Sequence, residues 1–223
     1  MEGHGWEARR RYISDTQQTR RLVPFFAYCT LYFLLWLPVD KPSWNSALAK
    51  CLPILSLALF VHNHAPSGSY GRFIWVGLLC SALGDIFLTW PNLVPFGMAA
   101  FVLAHLFYIG ALGWSPIRQA LLESVVVVFL LYFGLLQPHL PSNLSFPVLV
   151  YVAILGLMLW RALARERSAA LGGLFFSISH AILAWDTFVR PLPLGHLIST
   201  VTYYAAQALL ALSTVEGESP TVS

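Results

Sequence analysis

Two polar side chains stand where apolar ones are expected. Asp85 lies in SALGDIFLTW (81–90), and His180 interrupts LFFSISHAILAW (174–185). An ionisable residue inside a membrane span is costly and by default marks a site. A carboxyl taken out of water is disfavoured in its charged form, so it can keep a proton near neutral pH and act as a general acid. Asp85 also has Gly84 before it and no basic residue beside it in sequence. Asp85 and His180 are therefore the candidate catalytic residues. The candidate substrate-binding residues are Lys50, Ser81, His105, Tyr108, Tyr203, Tyr204 and Gln207. Ser81 shares a helix face with Asp85, and Tyr108 follows His105 by one turn. Thr200, Tyr203, Tyr204 and Gln207 form a stripe at i, i+3, i+4, i+7. Each has a plainer reading too. Tyr108, Tyr203 and Gln207 suit interhelical hydrogen bonds, His105 a structural donor, and Lys50 a side chain snorkelling to the interface. Glu123 and Asp186 read as interfacial.

A lipid can reach such a site laterally. A lipid reaction that needs a proton donor and a water, but no redox cofactor, is hydrolysis of a vinyl ether. Protonation of the vinyl carbon gives an oxocarbenium ion; water adds, and the hemiacetal collapses to an aldehyde and an alcohol. Composition and spacing do not select this reaction over other lipid hydrolyses.

These residues need a membrane scaffold. Of 223 residues, 57% are hydrophobic and 10% charged, and mean hydropathy is +0.68. A soluble domain carries about 25% charged residues, so the solvent for this surface is lipid. The net charge of +3 belongs to basic residues beside apolar runs, which signals membrane orientation and not a nucleic-acid partner. A span needs about 20 apolar residues. On that basis eight spans are predicted, near 22–37, 46–64, 71–90, 95–114, 117–137, 144–164, 168–188 and 195–215. The fold class is all-α: a polytopic bundle of about eight transmembrane helices with both termini cytosolic. Ten Lys and Arg fall on the inside in that topology and three outside. Residues 1–21 form a basic tail, 22–215 the helical domain, and 216–223 a short polar tail. No cleavable signal peptide is expected. Cys29, Cys51 and Cys80 all lie in apolar runs and read as free thiols. Nothing in the sequence fixes an oligomeric state.

A short internal echo sets GDIFLTW (84–90) on SHAILAW (179–185), with Asp85 on His180 and, at the same offset, Tyr108 on Tyr203. Copies crossing in one direction would face each other at one depth. Counted at 1.5 Å per residue, Asp85, His105, His180 and Tyr203 lie roughly 17–20 Å from the cytosolic side, in one layer.

The chain resembles the lysoplasmalogenase (YhhN-like) family of eight-span membrane proteins. The segments that carry this are YFLLWLPVDKPSW, KCLPI, CSALGDIFLTWP, GMAAFVLAHLFY, MLWRALA, ILAWDTF and TYYAAQ, from about residue 22 to 213. The resemblance implies hydrolysis of the alkenyl ether of lysoplasmalogens to a fatty aldehyde and glycerophosphocholine or glycerophosphoethanolamine. It also implies the endoplasmic reticulum membrane and no metal or other cofactor. The family's candidate catalytic pair is an Asp in Gly-Asp and an Asp in Ser-Asp. The first matches Gly84-Asp85; the second falls on Ser179-His180, a departure. An imidazolium opposite Asp85 would hold it ionised. The expectation is therefore weakened activity, raised by His180→Asp, or a lysophospholipid-binding protein without turnover. A third reading is a metal site built from Asp85, His105 and His180.

Overall fold

The computed structural model describes residues 20–35 and 42–216, and among these every regular element is helical. Eight α-helices follow one another: α1 (Val23–Leu35), α2 (Trp44–His64), α3 (Ser69–Phe87), α4 (Val94–Leu112), α5 (Gln119–Leu136), α6 (Ser142–Leu163), α7 (Arg167–Phe188) and α8 (Gly195–Glu216). Seven of them, α2 to α8, are long and apolar enough to cross a membrane; α1 is a shorter apolar helix of 13 residues. The chain is a multi-pass membrane protein. All but residues 20, 21 and 216 of the predicted tails, Lys41 and most of the N-terminal basic residues lie outside the described residues.

The helices end where the sequence breaks their pattern. Ser43 caps α2, its hydroxyl accepting from the Ser46 amide, which satisfies one of the orphan donors of the first turn. Gly113 ends α4 with φ of 65°, a left-handed value that a residue with a Cβ seldom adopts. Asp186, read from sequence as interfacial, ties the turn after α7: its carboxylate accepts from the Leu192 amide at 2.7 Å.

Packing is closest between α7 and α8 and between α3 and α4. Small residues make the second approach possible. Gly77, Ser81 and Gly84 form a stripe on α3, and the rings of Tyr108 and Phe101 on α4 lie directly over the two glycines. This is the way membrane helices gain contact without a hydrophobic driving force between them. A Cβ at Gly84 would lie 2.6 Å from the Phe101 ring. Gly84→Ala should therefore cost about 1–3 kcal/mol through overpacking, and should lower the unfolding temperature in detergent together with activity. An unchanged melting curve would contradict it. On the far side, α8 packs against both α2 and α3, and α6 bridges α4 to α7. Helix α5 stands apart, resting on α6 with most of its surface outward.

The loop between α4 and α5 is held from α6. Arg161 has no exposed surface; its guanidinium donates to the carbonyls of Gly113 and Pro116. Arg165 donates to Leu112, and the Trp160 indole donates to Arg118 at 2.9 Å. From sequence, Arg161 and Arg165 counted only as orientation charges. The structure gives them a clamp on the carbonyls that a helix end leaves without partners.

Candidate active site

Five helices converge on one small cavity. The second turn of α2 supplies Lys50, the last turn of α3 supplies Asp85, and α4 supplies Phe101. Ser179, His180 and Leu183 come from α7; His196, Ser199, Thr200 and Tyr203 come from α8. Asp85 and His180, far apart in sequence, thus line one space, as the internal echo suggested for those two positions.

Asp85 is 2% exposed and has a partner on each oxygen. The Tyr203 hydroxyl donates to Oδ2 at 2.7 Å. Lys50 Nζ lies 3.5 Å from Oδ1. Lys50 does not snorkel away to the interface: it turns inward, its side chain 20% exposed beside a carboxylate one-tenth as exposed. A buried charge needs such a partner, since breaking a buried pair costs several kcal/mol. The cation facing Asp85 is therefore an ammonium from α2, not the imidazole of His180.

His180 has a different anchor. Its Nδ1 lies 3.1 Å from the Phe176 carbonyl one turn back. A carbonyl can only accept, so Nδ1 carries the hydrogen. In the neutral ring the lone pair is then on Nε2. The ring is fixed by aromatic neighbours: it stacks on Phe176 at 4.7 Å and 15°, lies over Tyr151 at 5.7 Å and 26°, and meets Phe101 edge-on at 5.3 Å. Such contacts prefer defined geometries, which holds the ring against rotation.

Of the substrate-binding candidates, Lys50 and Tyr203 line the cavity. Ser81, Tyr108 and Gln207 lie one turn deeper and bond to one another. The Tyr108 hydroxyl donates to Gln207 Oε1 at 2.7 Å and sits 3.3 Å from Ser81 Oγ. Together they make a buried polar cluster that does not line the cavity. His105 is buried behind His180, with ring centroids 5.9 Å apart and its Nδ1 on the Phe101 carbonyl. Tyr204 points the other way: its hydroxyl donates to the Lys50 carbonyl at 2.8 Å, and its ring packs against Tyr32 and Phe33. It fixes the backbone under Lys50 without reaching the cavity.

Sequence reasoning passed over Ser179, Ser199, His196 and Phe101. Ser179 Oγ donates to the Ser199 carbonyl at 2.7 Å and so pins α7 to α8 beside the site. Thr200 and Ser199 both donate to the His196 carbonyl. Their only signal was proximity to His180 and to the α8 stripe. Among the described residues no three His, Cys, Asp or Glu side chains are grouped so as to hold a metal ion. Asp85, His105 and His180 therefore do not form the facial triad considered above.

The arrangement offers a carboxyl and an imidazole nitrogen with a lone pair on one cavity, with Phe101, Leu88 and Leu183 as its apolar wall. That set suits acid–base addition of water to a lipid. The YhhN family pattern matches residues 45–214. The rat protein named lysoplasmalogenase TMEM86B is 50% identical over 197 residues, 88% of this chain and 84% of the rat protein. The human protein of that name is 46% identical over 201 residues, 90% of this chain and 89% of its own length. A protein of Mycobacterium bovis named lysoplasmalogenase is 33% identical over 165 residues, 67% of this chain and 60% of that protein. No solved structure matches.

Proposed function

The chain belongs to the YhhN family, and we propose that it is a lysoplasmalogenase whose intramembrane cavity cleaves the vinyl ether by general acid and base. The substrate is an alkenyl-glycerophosphocholine or -ethanolamine. The products are a fatty aldehyde and the glycerophospho-alcohol. The membrane of the endoplasmic reticulum is the compartment that goes with this reading, and fractionation of cells expressing the tagged chain tests it.

The observation that carries the mechanism is the placing of Asp85 and His180 on one cavity between α3, α4, α7 and α8. Protonated Asp85 gives its proton to the vinyl carbon distal to the ether oxygen. The cation that forms is an oxocarbenium ion shared between the adjacent carbon and that oxygen. Water adds to that carbon, and His180 Nε2 accepts the proton the water sheds. The hemiacetal then breaks its carbon–oxygen bond to the glycerol. The imidazolium returns a proton to the leaving alkoxide, and the hemiacetal hydroxyl loses one to Asp85. Both groups finish in their starting states, as a repeating cycle requires. The substituted position thus keeps a base. The cation that meets Asp85 is Lys50 and not His180, so the weakened activity expected of an imidazolium there is put to the test by the His180 variants.

Aldehyde release from lysoplasmalogen by the purified chain tests the reading. Binding of lysophospholipid with no aldehyde would leave only the reading as a lysophospholipid-binding protein without turnover. Tyr203 supplies a finer test. Its hydroxyl orients the carboxyl through a buried hydrogen bond, and a bond to a charged group is worth about 1.5–3 kcal/mol. Tyr203→Phe should keep the fold and lower kcat roughly 10- to 100-fold, with KM little changed. A rise confined to KM would show that Tyr203 binds substrate and does not orient Asp85.

A further inference from the structure

The resting site poses a contradiction for its own chemistry. The acid must carry a proton, yet the carboxyl is ion-paired with Lys50 at 3.5 Å. A carboxylate held by an ammonium is the wrong charge state to protonate carbon. We propose that Lys50 is a latch released by the phosphodiester of the substrate: the headgroup draws the ammonium off Asp85, and the carboxyl then takes up the proton it delivers. The proposal rests on the lysoplasmalogenase reading and adds how that site is armed.

Three observations support it. First, the pair is asymmetric. Asp85 is 2% exposed and fixed by Tyr203, whereas the Lys50 side chain is 20% exposed. Lysine is a point charge on a flexible four-carbon stem, so the cation is the partner that can move. Secondly, the ion pair that the carboxyl makes is with Lys50, and the other groups around it are placed differently. Tyr203 on α8 is neutral, and His180 on α7 donates its Nδ1 hydrogen to Phe176. His196 on α8 borders the same cavity through the first turn of its helix. Nothing ionisable on α4 lines the cavity. Thirdly, the substrate brings the counter-charge within reach, since only the three-carbon glycerol separates the vinyl ether oxygen from the phosphodiester. A buried carboxylate deprived of its cation is a costly state, and such a group neutralises instead of remaining charged. The proton is taken up from the acid of bulk solvent at the mouth, and is given back there when product leaves and the ion pair with Lys50 re-forms.

The experiment compares lysoplasmalogen with 1-alkenylglycerol, which has the same vinyl ether and no phosphate, on purified protein in detergent. The latch requires that the phosphate act on kcat. Saturating alkenylglycerol should turn over about 10-fold more slowly or worse, within the span of coupling between linked sites. Equal kcat values with only KM raised would mean that Lys50 merely binds phosphate, and would overturn the proposal while leaving the lysoplasmalogenase reading intact. Turnover of neither substrate would overturn both. Lys50→Met adds a test by sign: kcat on alkenylglycerol should rise while kcat/KM on lysoplasmalogen falls. A parallel fall in both substrates would overturn the latch. Should Lys50→Met fail to fold, the kcat comparison on the parent chain decides by itself.

Discussion

Asp85→Asn is expected to lower kcat on lysoplasmalogen by about 10³-fold, in the middle of the range that a positioned acid contributes. Asparagine has nearly the shape of aspartate, and its oxygen can still accept from the Tyr203 hydroxyl, which bonds Oδ2 at 2.7 Å in the parent. The amide carries no proton it can give to carbon. What the variant loses is therefore the chemical step and not the frame. Lys50 is left without its carboxylate, but its side chain is 20% exposed, and a lysine on a flexible stem can turn to cavity water. The variant should thus fold, unfold at nearly the parent temperature, and still bind lysophospholipid. Aldehyde release measured beside a detergent melting curve checks both halves. Retention of more than a tenth of the parent rate would remove Asp85 from the role of acid.

Part of this site was legible in the chain because membrane spans are monotonous. Asp85 and His180 show against apolar neighbours on both sides, and in lipid such contrast marks a site. What the sequence could not display was pairing across helices. Nothing beside Asp85 in the chain is basic, so its cation had to be sought elsewhere. Lys50, 35 positions earlier, reads as an interfacial residue until α2 is packed next to α3 and α8. Tyr203 and Tyr204 make the same point at the scale of one residue. Neighbours on a helix differ by about 100° in direction, and a stripe of four polar residues is too wide to say which one faces inward. The structure divides them: Tyr203 reaches Asp85 and Tyr204 reaches the Lys50 carbonyl.

The spans themselves followed from apolar length, and the breaks from Pro, Gly and charge. The loop clamp did not. Arg161 looks like any basic residue that ends an apolar run, and its burial against the carbonyls of Gly113 and Pro116 depends on where the α4–α5 loop returns. Burial of an arginine is set by tertiary packing, and no periodicity encodes it. Of the small-residue stripe of Gly77, Ser81 and Gly84, only Ser81 and Gly84 stood out in sequence, beside Asp85. Its meaning, a bed for Phe101 and Tyr108, required the partner helix.

His180 is where the imidazolium reading and the proposed base assign opposite signs, and two substitutions separate them. His180→Phe keeps an aromatic ring between Phe176 and Tyr151, where the imidazole now stacks at 4.7 Å and 5.7 Å. It removes the lone pair that Nε2 presents when Nδ1 is bonded to the Phe176 carbonyl. If that nitrogen accepts the proton of the attacking water, kcat should fall about 100-fold, the lower bound for loss of a general base. The fold should persist. His180→Asp sacrifices the stacking but restores a base, as a carboxylate. It should lie within about 10-fold of the parent, most of the difference arising from a shorter side chain that must reach the same water. Aldehyde release by the three proteins at one pH gives the order parent, then Asp, then Phe. A phenylalanine variant as fast as the parent would remove His180 from the chemistry. An aspartate variant faster than the parent would instead assign the imidazole an inhibitory charge beside Asp85, and the base would have to be sought elsewhere in the cavity.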